Sequence, residues 1–475
     1  MVVDDATTAR SASSAGRRPW GAPGRSGHVS AGSRVPVACG VDVGSTNSKV
    51  IAIDESGAVV ARASRPTPRD AVDLSVKVDR LFDAVEEMVI EVCGEIFEVH
   101  AICVAGVGED GVLVDDGLGV LTPALTWFDP RRQDLFRALR PQLVDDETFD
   151  SETDPVRTVV GWAWARTHET AGRARSWLAL TDLAACRWAA RPFFSDTLAS
   201  RTAAWRSSDR VWAVDRVAAT LGSPELLPPV VATGEIVGPL DSPTLRAAGV
   251  IAGDAITVAG GHDHPIAGWG VQQIVPGAIL DSMGTAEVVV AQAPGMPVVR
   301  GEHVDVAPGI RSDGRTLLRV EELARNVQWA SQDADVAAEV RALLEGAAEP
   351  LPLWDSGYFV PGERGGGAPS YSPDAPRDPR ARASAVLGAL AVAGRDAVDA
   401  VSAGMPDRGE VRLAGGWVRS PGWIEIKSAV HGLRAAPILE PEVTAVGAAL
   451  LAATARGWRP DAVVSLGGFT ASMLG

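Results

Sequence analysis

Cysteine is scarce. Cys39, Cys93, Cys103 and Cys186 are the four in 475 residues, and no CxxC spacing occurs. No pairing logic for a disulfide framework follows from them; small buried side chains in a reducing cytosol are expected, hence a cytoplasmic protein. No apolar run reaches the length of a transmembrane helix, so no membrane span is expected. Positive charge is in deficit: 44 Lys and Arg stand against 60 Asp and Glu, a formal net charge of -16. That argues against nucleic acid or an anionic membrane as a partner through bulk electrostatics. An anionic ligand stays open, because a local nest of backbone N–H groups can hold phosphate in an acidic protein. Residues 1–34 lack an apolar h-region and are rich in Ser, Ala, Gly and Arg. They are expected to be a disordered extension or the product of a misplaced start site, not a signal peptide, with ordered structure from near Val35.

Hydrophobic residues make up 46% of the chain, enough for large cores. A chain this long exceeds one ordinary core, and two domains of about 200 residues each are expected. Apolar runs at 37–43, 49–54 and 58–64, separated by GSTN and ESG, read as an antiparallel meander. Helical spacing covers 76–97, and 100–107 reads as a strand. Residues 112–115 and 124–127 read as further strands, and 130–225 as mostly helical. A strand at 256–259 runs into GGHDH, and a helix is expected from 266. The segment 277–291, GAILDSMGTAEVVVA, repeats the opening hairpin, which suggests a duplicated domain. Residues 361–377 form a Gly- and Pro-rich loop, 384–402 a helix, 410–413 a strand and 444–456 an Ala-rich helix. Strand triplets followed by a helix and another strand indicate an α/β class with mixed sheets.

Five stretches carry candidate chemistry, beside the second hairpin. In DVGSTNSK, Gly44, Ser45 and Thr46 aim small donors at one spot, Lys49 adds a cation, and Asp42 suits a hydrated Mg²⁺ ion. The alternative is a plain polar hairpin; the second hairpin, with Ser282, Gly284 and Thr285, favours a clamp on a polyphosphate from two sides. In GGHDH the glycines allow close backbone approach, and Asp263 reads as a general base at a strand end. If the strand continues, His262 and His264 share a face without Asp263, and a metal site lacks its third ligand. GVGEDG at 106–111 fits GxGxxG, but VLVDDGLG follows where a dinucleotide fold needs a helix, so that reading is rejected. Glu109 and Asp110 are instead candidates for sugar hydroxyls, with a solvated turn as the alternative. In WFDPRR, Trp127 offers an apolar face to a sugar ring and Asp129 accepts hydroxyl hydrogen bonds, against a core Trp beside an exposed turn. In LAGGWVRSPGW, the pair Gly415-Gly416 lets a flat ring lie on backbone, or simply enters a helix.

The order of these stretches resembles the FGGY family of carbohydrate kinases. DVGSTNSK, GVGEDGVLVDD with WFDPRR, SDTLASRTAAW, LPPVVATGEIVG, GGHDH, LDSMGTAEV, PGERGGGAPSY and LAGGWVRSPGW with EVTAVGAALLAA follow one another over about residues 37 to 457. The resemblance implies two actin-like ATPase (ribonuclease H-like) domains with ATP and sugar in the interdomain cleft. Residues 35–272 would carry the sugar site and first phosphate loop, and 273–475 the second phosphate loop and the adenine site. It implies that Asp42 assists Mg²⁺, and that Gly44, Ser45, Thr46 and Lys49 face the ATP phosphates. Gly284 and Thr285 would form the second loop, Gly415 and Gly416 would border adenine, and Asp263 would take the proton from the sugar hydroxyl. Glu109, Trp127 and Asp129 fall where family members contact the sugar. The implied partners are a small sugar or polyol and ATP, a pentulose such as xylulose first among the sugars, with a homodimer as the candidate assembly.

The chain departs from the pattern at several points. Xylulokinases carry Met-His where it has Gly108-Glu109, and glycerol kinases carry Arg-Glu there. Pro265 and Trp269 replace small residues after Asp263, and Gly-Thr-Ala at 284–286 replaces Gly-Thr-Ser. These departures motivate the alternative of a non-catalytic sugar- or ATP-binding sensor of the same fold.

Overall fold

The computed structural model describes residues 34–467 except 145, 294, 296–299, 363–366, 404, 406–408 and 433–435. Residues 1–33 of the expected N-terminal extension and residues 363–366 of the 361–377 loop lie outside the described residues. The first strand described, β1 (Val35–Val43), is paired antiparallel to β2 (Asn47–Ile53), itself antiparallel to β3 (Val59–Pro66). Helix α1 (Val78–Cys93) buries Leu81, Val85, Met88, Val89 and Val92, the apolar stripe of its 3.6-residue period. It leads to β4 (Phe97–Gly106), parallel to β1. Strands β5 (Ile236–Pro239) and β6 (Ile251–His262) complete a six-stranded sheet of order β5-β6-β4-β1-β2-β3.

Helix α2 (Asp263–Gln272) follows directly on β6. A second six-stranded sheet then repeats the plan. Strands β7 (Ile279–Met283) and β8 (Ala286–Ala293) form an antiparallel hairpin. Strands β9 (Val304–Pro308) and β10 (Arg315–Glu322) follow, then α3 (Pro379–Ser402) and β11 (Val411–Ala414), which lies parallel to β7. Helix α4 (Pro421–His431) leads to β12 (Ala436–Pro437), giving the order β9-β10-β8-β7-β11-β12. The meander, the crossover helix and the parallel strand recur in the same sequence, so the expected duplication is a property of the fold.

The segment between β4 and β5 is a set of short helices and strands of two to four residues around a buried aromatic cluster with Trp162, Trp177 and Phe194; the strand expected at 112–115 is present as Gly111–Val114. Residues 124–127, expected as a strand, make only one bridge, Val76 to Ala124. Pro123 lacks the N–H that a ladder needs, and the chain turns at Trp127. The helix expected from 266 starts earlier, at Asp263, because His262 in extended backbone caps it.

Two helices join the halves. Helix α2 belongs in sequence to the first sheet but packs on β7 and β8 of the second. Helix α5 (Val443–Ala455), which follows β12, packs on β1, β2 and β4 of the first. Its residues from Ala445 to Ala453 are buried all round, as expected of a helix without a polar face. One core cluster therefore runs from Ala38 and Ile51 through Ile266 and Ala449 to Leu280 and Val290. Small residues permit this approach: a Cβ on Gly40 would overlap Ala445 O and Ala449 N of α5. A Cβ on Gly447 would lie 2.7 Å from Ile266 O, and one on Gly270 would lie 3.2 Å from Gly447 Cα.

Replacing Gly40 by Ala forces backbone against backbone, which cannot relax by a rotamer change. Gly40→Ala is expected to lose about 1–3 kcal/mol or more of stability. Urea unfolding of the two proteins checks this, and unchanged midpoints would contradict the packing described.

Candidate active site

The first hairpin turn sits between β1 and β2. Asp42 and Lys49 are register partners across it, with Lys49 Nζ 4.0 Å from Asp42 Oδ2. Lys49 also pairs closely with Glu442, the residue that leads into α5. The turn is held from outside. Thr67 Oγ1 donates to Gly44 O at 2.7 Å, and the Arg69 guanidinium donates to Ser45 O. Trp127 Nε1 donates to Ser45 Oγ at 2.7 Å, so the indole is pinned to the turn.

Asp263 opens α2 at the foot of the cleft. Its Oδ1 accepts from His264 N at 2.7 Å and lies 3.2 Å from His262 Nε2 and 3.7 Å from His264 Nε2. Because the helix begins here, the strand alternation that would separate Asp263 from both imidazoles does not apply. All three groups converge, with the two rings 5.5 Å apart at 85°. Among the described residues no group of three or more His, Cys, Asp or Glu side chains could hold a metal ion. Burial raises the Asp263 carboxyl above its ordinary range, and the charge of Glu109 adds to this; His264 and Arg201 oppose it. Asp42 is pushed up to about 7 by burial and then by the charge of Asp263, against Lys49.

One cleft of about 560 Å³ gathers half of the expected site; Asp42, Gly44 and Lys49 are not among the residues that line it. Ser45, Glu109, Trp127, Asp129 and Asp263 line it from the first half, and Ser282, Gly284 and Thr285 from the second. Thr46 is exposed on the outer side of the first turn. Asp129 is held bidentately by Arg131, through Nε at 2.9 Å and Nη2 at 2.6 Å. Asp110 does not line the cleft. It is buried behind it, 3.9 Å from Arg132, and burial pushes its carboxyl up to about 7. Gly415 and Gly416 also lie off the cleft wall, Gly415 against the second hairpin and Gly416 facing open space. Gly415 has φ 88°, and a Cβ there would overlap Met283 O. Trp417 Nε1 donates to Gly284 O at 3.0 Å, which ties this turn to the second loop.

Residues not anticipated complete the site. Arg201 Nε and Nη2 donate to Glu109 Oε1 at 2.9 and 2.6 Å, and its Nη1 pairs with Asp305. A side chain at Gly108 would meet His262 Cδ2 at 2.8 Å and Arg201 Cγ at 2.9 Å, so Arg201 occupies the room that a larger residue there would need. The stretch SDTLASRTAAW contains Arg201, but nothing in its spacing marks that residue as the partner of Glu109.

A buried charge cluster supports the second hairpin. Lys427 Nζ of α4 lies 2.7 Å from Asp281 Oδ2 of β7 and pairs closely with Glu287 of β8. All three side chains are essentially inaccessible. Burial, then the charge of Asp281, pushes the Glu287 carboxyl from 4.5 to about 8, against the pull of Lys427. Gly394 of α3 leaves the space these groups fill.

Comparison with known proteins places this geometry. Residues 37–270 match the model described as FGGY family of carbohydrate kinases, N-terminal domain. The chain is 28% identical over 269 residues to L-fuculokinase of Escherichia coli (strain K12), covering 53% of this chain and 56% of that protein. The chain thus spans about half the length of that curated relative. It is 29% identical over 479 residues to glycerol kinase of Gloeobacter violaceus, covering 89% of this chain and 88% of that one. In fold it is similar to a ligand-bound xylulose kinase from Lactobacillus acidophilus, with a TM-score of 0.77 at 17% identity over 91% of this chain and 92% of the other. The two six-stranded sheets are thus those of the actin-like ATPase fold.

The Glu287 proton gives a stability prediction with a definite sign. Above pH 4.5 the unfolded chain releases this proton while the folded chain keeps it to about 8, so stability falls as pH rises between those values. Glu287→Gln removes the titration, and its stability is expected to fall less steeply from pH 5 to 8. Urea unfolding at intermediate pH values reads the difference; parallel curves for the two proteins would contradict it.

Proposed function

The chain belongs to the FGGY family of carbohydrate kinases, and from that membership we propose that it transfers the γ-phosphoryl group of ATP to a hydroxyl of a small sugar or sugar alcohol, pentuloses first among them. The observation that carries this reading is the meeting of two small-residue turns, a buried carboxylate and an indole face in one cleft. Residues 35–272 act as the sugar-binding half with the first phosphate turn. Residues 273–475 act as the half with the second turn and the Gly415-Gly416 surface for adenine.

Each residue has a task in this scheme. The turns at Gly44–Thr46 and Gly284–Thr285 direct N–H and hydroxyl donors at phosphate oxygens. Lys49 contributes charge next to them. Asp263 accepts the proton of the attacking hydroxyl; His262 and His264 fix its orientation, and burial, which raises its pKa, makes it the stronger base. Trp127 covers the apolar face of the sugar, and Glu109 and Asp129 accept its hydroxyl hydrogen bonds. Bringing the halves together on both substrates excludes water, which would otherwise take the phosphoryl group.

The cofactor requirement fits the donor set. Asp42 carries a surplus of neighbouring negative charge from Asp263 and Glu442. A hydrated Mg²⁺ needs only one or two carboxylates, and Asp42 would hold it beside the first turn. When bound, the ion neutralises phosphate charge.

The test is ADP release with Mg-ATP across pentuloses, hexuloses, aldoses, pentitols, tetritols and glycerol, with Asp263→Asn run in parallel. Turnover on at least one acceptor is expected. The variant is expected to lose about 10²–10⁴-fold in kcat while ATP still raises its melting temperature. Near-normal turnover in the variant would sink the role given to Asp263. Stabilisation by ATP and sugar without any ADP would favour the sensor.

A further inference from the structure

The guanidinium groups around the cleft are all engaged. Among the described residues those lining it are Arg132, Arg201 and Arg325. Arg132 donates through Nε to Thr126 O, through Nη2 to Leu125 O and through Nη1 to the carbonyls of residues 155, 156 and 157. Arg325 lies 3.3 Å from Glu322. Arg201 is the deepest, sandwiched between Glu109 of the sugar wall and Asp305. Asp305 in turn accepts from Arg157 Nη2 at 3.0 Å through its other oxygen. The side chains of Arg201, Glu109 and Asp305 are 4%, 8% and 7% exposed, so this bridge is out of water.

Asp305 reaches Arg201 from the opposite half of the molecule. It lies on β9, the edge strand of the second sheet, and Val306 N next to it donates to Asp150 O at 2.7 Å. Asp305 does not line the cleft, so it acts on the substrate only through Arg201 and Glu109. An acceptor bearing a carboxylate would enter beside Glu109 and Asp263. The guanidinium beside those two acids is that of Arg201, and to meet it the carboxylate would have to break a buried, hydrogen-bonded ion pair, which is the costly way to disturb such a pair. A neutral polyol faces no such cost, because its hydroxyls donate to carboxylates.

Resting on the kinase reading above, we propose that the acceptor is a neutral polyhydroxy compound and not an aldonate, and that Asp305 is a positioning residue that enforces this choice by holding Arg201 on Glu109. The discrimination is a difference of affinities made by the like charge of Glu109 and Asp263 and by the engagement of Arg201. It needs no contact between Asp305 and the sugar.

The experiment compares pentuloses and pentitols with the matching pentonates on the wild type, Asp305→Asn and Asp305→Glu. Two readouts are taken: the melting-temperature shift given by the acceptor alone, and the steady-state constants. In the wild type, neutral acceptors are expected to stabilise the protein and to be turned over, with pentonates doing neither. Asp305→Asn is expected to raise KM for the neutral acceptor about tenfold and to shrink the preference over pentonate, with KM for ATP unchanged. Asp305→Glu restores part of the preference. A wild type that binds pentonates as well as pentuloses overturns the proposal, and so does an Asp305→Asn protein with unaltered selectivity. Absence of turnover on every acceptor would instead defeat the kinase reading. In that case the melting shifts alone decide, and stabilisation by pentonate, or by neither class, overturns the neutral assignment.

Discussion

The site depends on how closely two helices can approach two sheets. Helix α5 reaches β1 because Gly40 has no Cβ to obstruct Ala445 and Ala449, and α2 crosses α5 where Gly270 meets Gly447. This contact fixes the separation of the two hairpin turns, since each sheet is placed by the helix laid on it. It also fixes the acids. Asp263 is the first residue of α2, and Glu442 stands at the entry of α5. Both helices thus bring a carboxylate toward Asp42 and Lys49 at the first turn. Burial, then the like charges of Asp263 and Glu442, raise the Asp42 carboxyl.

Much of this was legible in the chain itself. The two hairpins, the helices at 78–93 and 443–455 and the strand before Asp263 carry strong local signals: periodicity, turn residues and composition. The order of the turn motifs pointed to the cleft, and Ser45, Glu109, Trp127, Asp263, Gly284 and Thr285 do meet there. What stayed hidden is what the chain brings together from afar. Arg201 lies 92 residues from Glu109 and 104 from Asp305. No local pattern encodes either pairing. The alternation argument for His262 and His264 failed because a strand was assumed to continue where a helix takes over. Asp110 read as a candidate for solvent or sugar, yet it is buried beside Arg132. Sequence adjacency to Glu109 says nothing about which wall a side chain faces.

The charged groups under the two turns differ in kind. The first turn is braced by hydrogen bonds to its backbone and to Ser45, from the Thr67 hydroxyl, the Arg69 guanidinium and the Trp127 indole. The second rests on the Lys427 cluster, an ionic brace sealed from solvent. A buried ionic brace makes the loss of any one member expensive.

The exchange of α2 and α5 between the sheets bears on ancestry. Neither sheet is covered by its own final helix: α2 follows the first sheet yet shields the second, and α5 does the reverse. A solitary half would leave its terminal helix without a sheet beneath it and its sheet without a lid. Two identical halves would satisfy each other by trading that helix across a twofold axis. The architecture is the one that fusing a domain-swapped homodimer would leave.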